Sequence, residues 1–538
     1  MSSKLIRGTF ILTLGTILSK VLGLLYVIPF YKIIGGADQA ALYTFGYVPY
    51  TIFISIATAG VPLAVSKYIA KYNALEEYAV GRKLFRSGIY VMLGTGVVSF
   101  LAMYGLAPWL AEIVLKGAES EYSTEDVAAV IRAVSFALLI IPVMSLMRGF
   151  FQGHQSMGPS AVSTVVEQLA RIIFLLSGAF IVLYVLKGSM VTAISVATFA
   201  AFIGGLSSFA VLLWYWKKRK PGLDELLQHD RRSMDVSLPN MYKEILMYAF
   251  PFVMVGIANP LYQFIDQITF TRAMAAAGNA SGALDALGIL NMTTHKLVII
   301  PVSLATAFAL TIVPLVTESF VKNDRRQMFR QLDQTFQVLL FITMPAAIGL
   351  SLLAEPMYTM FYEYDEYGAQ VLRAYAPVAI LFALYSVTAA ILQGINEQRF
   401  TMLSLLTGLL VKLAVNIPLI RLFAAEGAVY ATALGYGTAI FINFIVIKKF
   451  ARYPLKLVYR RTILIGIFNL VMAVPVYLIY KGLLWFLTPE STIQSILIIV
   501  ICAGAGAVIY GYLGLKSGLA DRLFGSRVQK IKQRLRLE

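Results

Sequence analysis

Fourteen apolar runs, each about 20 residues or longer, fill most of this 538-residue chain and decide what it can fold into. They cover roughly 8–34, 41–66, 87–115, 128–150, 160–186, 189–216, 245–277, 283–316, 332–353, 370–393, 401–423, 427–447, 462–487 and 493–515. At 1.5 Å per residue, about 20 residues of helix cross a hydrocarbon core about 30 Å thick. Strand-like alternation is absent, so the backbone must satisfy its hydrogen bonds in helices and not in a barrel. The expected fold is an all-α integral membrane protein with 14 transmembrane helices. Composition agrees: only 14% of residues are charged, where a soluble chain carries nearer a quarter.

The apolar runs carry an internal duplication. Val61-Pro62-Leu63 returns as Val313-Pro314-Leu315, and at the same offset of 252 positions Pro49 matches Pro301. Phe151-Gln152-Gly153 returns as Leu392-Gln393-Gly394 at an offset of 241, which sets Arg171 against Lys412. Duplicated hydrophobic halves mark transporters, which hold substrate between them. Six spans per half means that both halves enter the membrane in the same sense, so an axis along the membrane normal should relate them. The organisation expected is a six-helix repeat at 1–216, a cytoplasmic linker at 217–243, a second repeat at 244–448, an extra helix pair at 449–515 and a basic tail at 516–538.

Charge orients the bundle. Lys67, Lys71, Arg82, Lys83 and Arg86 fall on one side of the membrane, with Lys217, Lys218, Arg219, Lys220, Lys322, Arg325, Arg326 and Arg330. Lys448, Lys449, Arg452, Lys456, Arg460 and Arg461 join them, while Glu119, Glu121, Glu125, Asp126, Glu355, Glu363, Asp365 and Glu366 fall on the other. The positive-inside rule then places both termini in the cytoplasm. The net charge of +17 is largely topological and does not imply a nucleic-acid partner. The tail mixes Leu, Ile, Val and Phe with Lys and Arg, as a segment lying on anionic membrane lipids would.

Several chemistries drop out. The first span is too long for a signal peptide and has no small-residue cleavage site, so it is expected to be retained. Cys502 is the single cysteine, which excludes an internal disulfide, and His154, His229 and His295 form no ligand motif, so no metal is expected. No phosphate-binding loop ending in Gly-Lys-Ser/Thr occurs. Gly435-Tyr436-Gly437 lies inside a continuous apolar run, where small residues serve close helix packing, not an ion filter.

Chemistry is expected where ionisable groups sit at bilayer depth. Lys20 is about 18 Å into the first span, beyond the reach of a snorkelling side chain from that end. Lys296 is similarly deep in the eighth, beside Asn291, Thr293, Thr294 and His295. Arg171 and Lys412 lie midway along the fifth and eleventh spans. Glu167 and Arg171, four apart, can neutralise each other as a helical ion pair, whereas Lys412 has no acidic neighbour in sequence. Asp266, between Gln263 and Gln267, is a candidate for a cation partner, a coupling-ion ligand or a proton carrier. Deep cations with few free carboxylates select an anion, and phosphate or diphosphate matches Lys and Arg. A cation exporter would want the opposite sign.

Ser19-Lys20-Val21-Leu22-Gly23 resembles the Ser-Arg-Val-Leu-Gly of MurJ-type lipid II flippases, and His295-Lys296-Leu297 with Pro301 resembles their Asp-Arg-Leu…Pro. Met147-Arg148-Gly149-Phe150-Phe151-Gln152-Gly153-His154 is similar to the Gram-positive YtgP and stage V sporulation protein B-like branch. The resemblance runs over essentially the whole chain and belongs to the multidrug/oligosaccharidyl-lipid/polysaccharide exporter superfamily. It implies a bacterial cytoplasmic membrane protein that is a flippase and not an enzyme. Its substrate would be undecaprenyl-diphosphate-linked peptidoglycan precursor, moved outward by alternating access, with cell-wall synthesis machinery as a further partner. It also implies that Lys20 and Lys296 take the roles of family arginines on the head-group phosphates and that the extra pair forms a groove for the polyprenyl tail; Arg171 and Lys412, read from their depth and the repeat, are the further phosphate-binding candidates. Asp266, Glu167 and His295 are then the coupling or ion-pair candidates. No cofactor is implied; the membrane potential or a coupling cation would supply the drive. The chain departs from the family at Tyr26, where a second arginine is expected, near Phe53, where another is missing, and at His295 in place of an aspartate. Alternatives are a flippase for another lipid-linked saccharide, a cation-coupled multidrug exporter, and, on the Glu363, Asp365 and Glu366 cluster, a membrane glycosyltransferase.

Overall fold

The computed structural model describes residue 15 and residues 18–58, 60–116, 120–231, 237–303, 316–317, 319–320 and 322–524. The second copy of the Val-Pro-Leu landmark at 313–315, Glu119, most of the first span's opening turns and the tail beyond 524 lie outside these residues, as does the linker segment 232–236. Among the described residues the regular structure is helical, and eleven helices are long and apolar enough to cross a membrane.

One compact unit runs to Gly288. Its helices are α1 (Val27–Ile34), α2 (Ala37–Thr58), α3 (Val61–Ala74), α4 (Tyr78–Leu115), α5 (Thr124–Ser135), α6 (Ile141–Gly153), α7 (Met157–Phe180), α8 (Met190–Gln228), α9 (Leu238–Ala276) and α10 (Ala283–Gly288). Small side chains let these helices approach closely. A Cβ on Gly288 would come within 2.0 Å of the Ala37 carbonyl oxygen, so only glycine fits where α10 meets α2. Gly15, Ser19 and Gly23, spaced four apart, form a seam against α7. Ser19 Oγ donates to the Thr164 carbonyl at 3.1 Å, and Cβ atoms on Gly15 and Gly23 would lie 3.1 Å from Ala161 and Gln168. The loop before α5 is closed by a capping box between Ser123 and Asp126.

α8 is longer than a span requires. Its 39 residues reach about 58 Å, so its last turns, which include Pro221 and much of the expected linker, leave the bilayer as helix. These turns are tied to the start of α4 by an Arg82–Asp224 ion pair, by Asp230 accepting from the Ala79 N–H at 2.8 Å and by an Arg231–Glu76 pair at 2.6 Å.

The second compact unit runs from Ile289. It opens with a π turn, Ile289–Thr294, followed by α11 (Arg325–Leu352), α12 (Ala354–Phe361), α13 (Glu366–Tyr375), α14 (Val378–Gly394), α15 (Gln398–Phe450), α16 (Lys456–Leu483), α17 (Thr492–Lys516) and α18 (Leu519–Phe524). α15 contains two of the expected spans. Ala424, at φ +50°, breaks it into a hairpin, and a Cβ on Gly427 would lie 2.1 Å from the Leu419 carbonyl oxygen. Gly435, Tyr436 and Gly437 are helical, and the Tyr436 ring packs edge-on against Phe382 and Tyr385. The extra pair, α16 and α17, docks on α11 through Phe468, Met472, Val476 and Tyr510, whose hydroxyl donates to the Phe341 carbonyl at 2.9 Å.

Candidate functional site

In the first unit α7 carries two of the candidate groups, Glu167 and Arg171. Arg171 projects among tyrosines. Its guanidinium lies 5.0 Å from the Tyr47 ring centroid, it donates to Tyr43 OH at 3.4 Å, and the hydroxyls of Tyr26 and Tyr50 also feel its charge. Tyr43 and Tyr47 stack with their rings 5.4 Å apart. A guanidinium over an aromatic face in a dry setting gains up to about 2 kcal/mol, which offsets part of the cost of burying the cation. Tyr26, which stands where a family arginine is expected, thus belongs to this cage.

The helical pair of Glu167 with Arg171 does not form. Glu167 instead takes Arg148 of α6 at 2.7 Å, and Arg148 also donates to Ser163 and Ser208 at 3.0 and 2.9 Å. Beside Arg148 in α6, Gly149 has no Cβ, which allows α3 to approach at Pro62. Sequence reading placed Arg148 in a motif and missed it as a partner; a cation at the same depth on an adjacent span was the available signal. Lys20 is exposed and sits one residue beyond Ser19, turned away from the seam with α7. Asp266 is buried in α9, and its neighbour Gln267 donates to the Thr44 carbonyl at 2.8 Å.

In the second unit His295, Lys296 and Lys412 come together, near enough for both lysine charges to act on the imidazole. The π turn before them is held by side chains. Thr294 Oγ1 donates to the Ile289 carbonyl at 2.8 Å, Tyr362 OH donates to the Thr293 carbonyl at 3.1 Å, and Thr293 shares a 3.0 Å hydrogen bond with Tyr358. A π turn widens a helix and shifts the facing of everything after it, here Lys296. His295 Nδ1 is hydrogen-bonded to Tyr375 OH at 2.9 Å, so the residue that replaces the family aspartate lies in an aromatic setting with Phe382. Lys296 is half-buried, whereas Lys412 is enclosed and donates to Thr432 Oγ1 at 2.6 Å. The two cations differ in setting: Arg171 lies among aromatic rings, and Lys412 donates to the Thr432 hydroxyl.

A cavity of about 680 Å³ opens beside the extra pair. Pro301, Phe341, Pro345, Met472, Cys502 and Tyr510 line it, and its walls are almost wholly apolar.

The sequence is 47% identical to the lipid II flippase MurJ of Bacillus subtilis over 534 residues, 98% of each chain. The chain belongs to the MurJ family. It is also 24% identical to the stage V sporulation protein B of the same organism over 420 residues, 76% of each. The polysaccharide biosynthesis protein family matches residues 5–320, and the MatE family matches residues 251–419. In fold the chain is similar to a lipid II flippase MurJ solved in an inward closed conformation, with a TM-score of 0.64 at 15% identity, covering 95% of this chain and 99% of that one. MurJ family membership and this fold make the chain a multi-pass transporter of the exporter superfamily named from its motifs.

Proposed function

We propose that this chain is a lipid II flippase, moving undecaprenyl-diphosphate-linked peptidoglycan precursor from the inner to the outer leaflet. The observation that carries the reading is 47% identity to a lipid II flippase along 98% of both chains, the extra C-terminal helix pair included. The cations at bilayer depth are consistent with it. Lys20 and Lys296, exposed and half-buried, are the first contacts for the head-group phosphates, and Arg171 and Lys412 are further cations on the path. Glu167 serves Arg148 as counter-ion, which leaves Asp266 as the candidate for a coupling cation or proton and His295 as a neighbour that tunes Lys296. The apolar cavity beside α16 and α17 takes the polyprenyl tail.

With the basic segments inside, both termini lie in the cytoplasm, access alternates by rocking of the two six-helix repeats, and the tail at 516–538 rests on anionic lipids. An inside-negative potential then favours outward movement of an anion by about 2.3 kcal/mol per charge per 100 mV, so no cofactor is needed. Cell-wall synthesis enzymes are the natural consumers of the product. The match of residues 5–320 to a polysaccharide biosynthesis family favours one second reading, a flippase for another lipid-linked saccharide. The deciding experiment measures lipid II accessible on the outer face of cells depleted of this protein, with other flippases removed. A sharp loss with precursor accumulating inside supports the proposal; unchanged exposure turns it toward the second reading.

A further inference from the structure

A second basic site stands apart from the groups above. At the start of α4 a cavity of about 400 Å³ is lined by Arg82, Lys83, Arg86, Ser87 and Tyr90, and by Leu227 of the α8 extension. This wall is built. Asp224 and the Trp216 ring hold Arg82, and Ser87 accepts from Tyr242 OH at 2.7 Å while donating to the Lys83 carbonyl. Lys83 and Arg86 are both exposed to solvent, and Arg86 points the same way as Tyr90, one turn on.

The face does not end there. Tyr90, Leu93, Val97 and Leu101 follow at helical spacing, and all four are exposed. From Tyr90 to Leu101 is about 16 Å along the helix, half of a hydrocarbon core about 30 Å thick. The order along the face is cation, interfacial aromatic, then one leaflet's depth of apolar surface. A soluble anion would use the cations and ignore the stripe; a phospholipid matches both.

We infer that this face is a binding site for one anionic phospholipid of the cytoplasmic leaflet, its phosphate held by Arg86 and Lys83 and its acyl chains laid along Leu93, Val97 and Leu101. The inference rests on the orientation given above, and not on the identity of the transported lipid.

Native mass spectrometry of the full-length protein in detergent tests it, with phosphatidylglycerol, phosphatidylcholine and inorganic phosphate as probes. Wild type should hold one phosphatidylglycerol more tightly than phosphatidylcholine. Lys83→Ala with Arg86→Ala should weaken that adduct about thirty-fold, as expected for two interfacial charges. Arg86→Lys should retain it, and the Lys448→Ala/Lys449→Ala pair at the end of α15 should leave it unchanged. Equal retention of phosphatidylcholine, an unaffected Lys83/Arg86 variant or equal loss in the Lys448/Lys449 variant would overturn the site. Displacement of the lipid by millimolar phosphate would overturn the lipid assignment and leave a plain anion pocket.

Discussion

Glu167 is bonded to Arg148 of a neighbouring helix at 2.7 Å, and not to Arg171 one turn further along its own helix. The choice follows from geometry: Ser163 and Ser208 accept the further hydrogen bonds that Arg148 donates, while Arg171 is turned into the tyrosines. Both partners of the pair are largely shielded from solvent, with side-chain exposures of 17% and 24%. Removing one leaves the other charge stranded at a cost of about 3–5 kcal/mol, whereas replacing both by apolar residues of similar size costs far less. Arg148→Ala should therefore lower the thermal midpoint of the detergent-solubilised protein clearly, and Arg148→Met combined with Glu167→Leu should recover most of the loss. Additive losses would mean that the two charges do not act as a pair.

The tyrosine cage makes a separate prediction for Arg171. Arg171→Lys keeps the charge but loses the flat guanidinium that stacks on Tyr47, a difference of about 1 kcal/mol. Arg171→Ala removes the charge as well. If the cation meets substrate phosphate, flipping should fall several-fold in the lysine variant and vanish in the alanine variant, with folding retained in both. Equal flipping in the two variants would confine Arg171 to a structural role, which thermal unfolding would then register.

Lys20 and Lys296 carry the strongest claim on the head group. Alanine at either position should abolish flipping while membrane expression stays normal, because neither side chain is enclosed by the bundle. Arginine at either position should preserve or raise activity, since its fork grips phosphate at two points where lysine offers one. Lipid II exposure in a strain lacking other flippases is the readout. Near-normal activity in both alanine variants would remove the lysines from the substrate path.

How far the sequence could go is clearest at particular residues. Apolar run length marked the helices able to cross a membrane, eleven of them among the described residues, because hydrocarbon thickness sets a minimum length, and the rejected filter motif at Gly435 is plain helix. Lys20, Arg171, Lys296 and Lys412 could be placed inside apolar runs by the same count. Partner choice was not, because Arg148 and Glu167 lie 19 positions apart on different helices, where no local spacing rule reaches. Tyr26, Tyr43, Tyr47 and Tyr50 read singly as ordinary span aromatics; only packing gathers them round a cation. The π turn at Ile289–Thr294 has no signature in sequence, since threonines that satisfy its carbonyls also occur in plain helices.

The apolar cavity beside the extra pair separates a tail site from a packing defect. Ala503 lies on its wall and is exposed on α17, so Ala503→Trp fills space without entering the core. Cys502, next to it, is buried, and bulk there would strain the packing of α16 on α17. If the cavity holds the polyprenyl chain, Ala503→Trp should cut flipping of the full-length lipid several-fold and spare an analogue with a tail too short to fill the groove. Reconstituted vesicles with a fluorescent head group give both rates in one preparation. Equal loss for the two lipids would place the defect in the rocking of the helices, and no loss for either would show the cavity to be empty of substrate during transport.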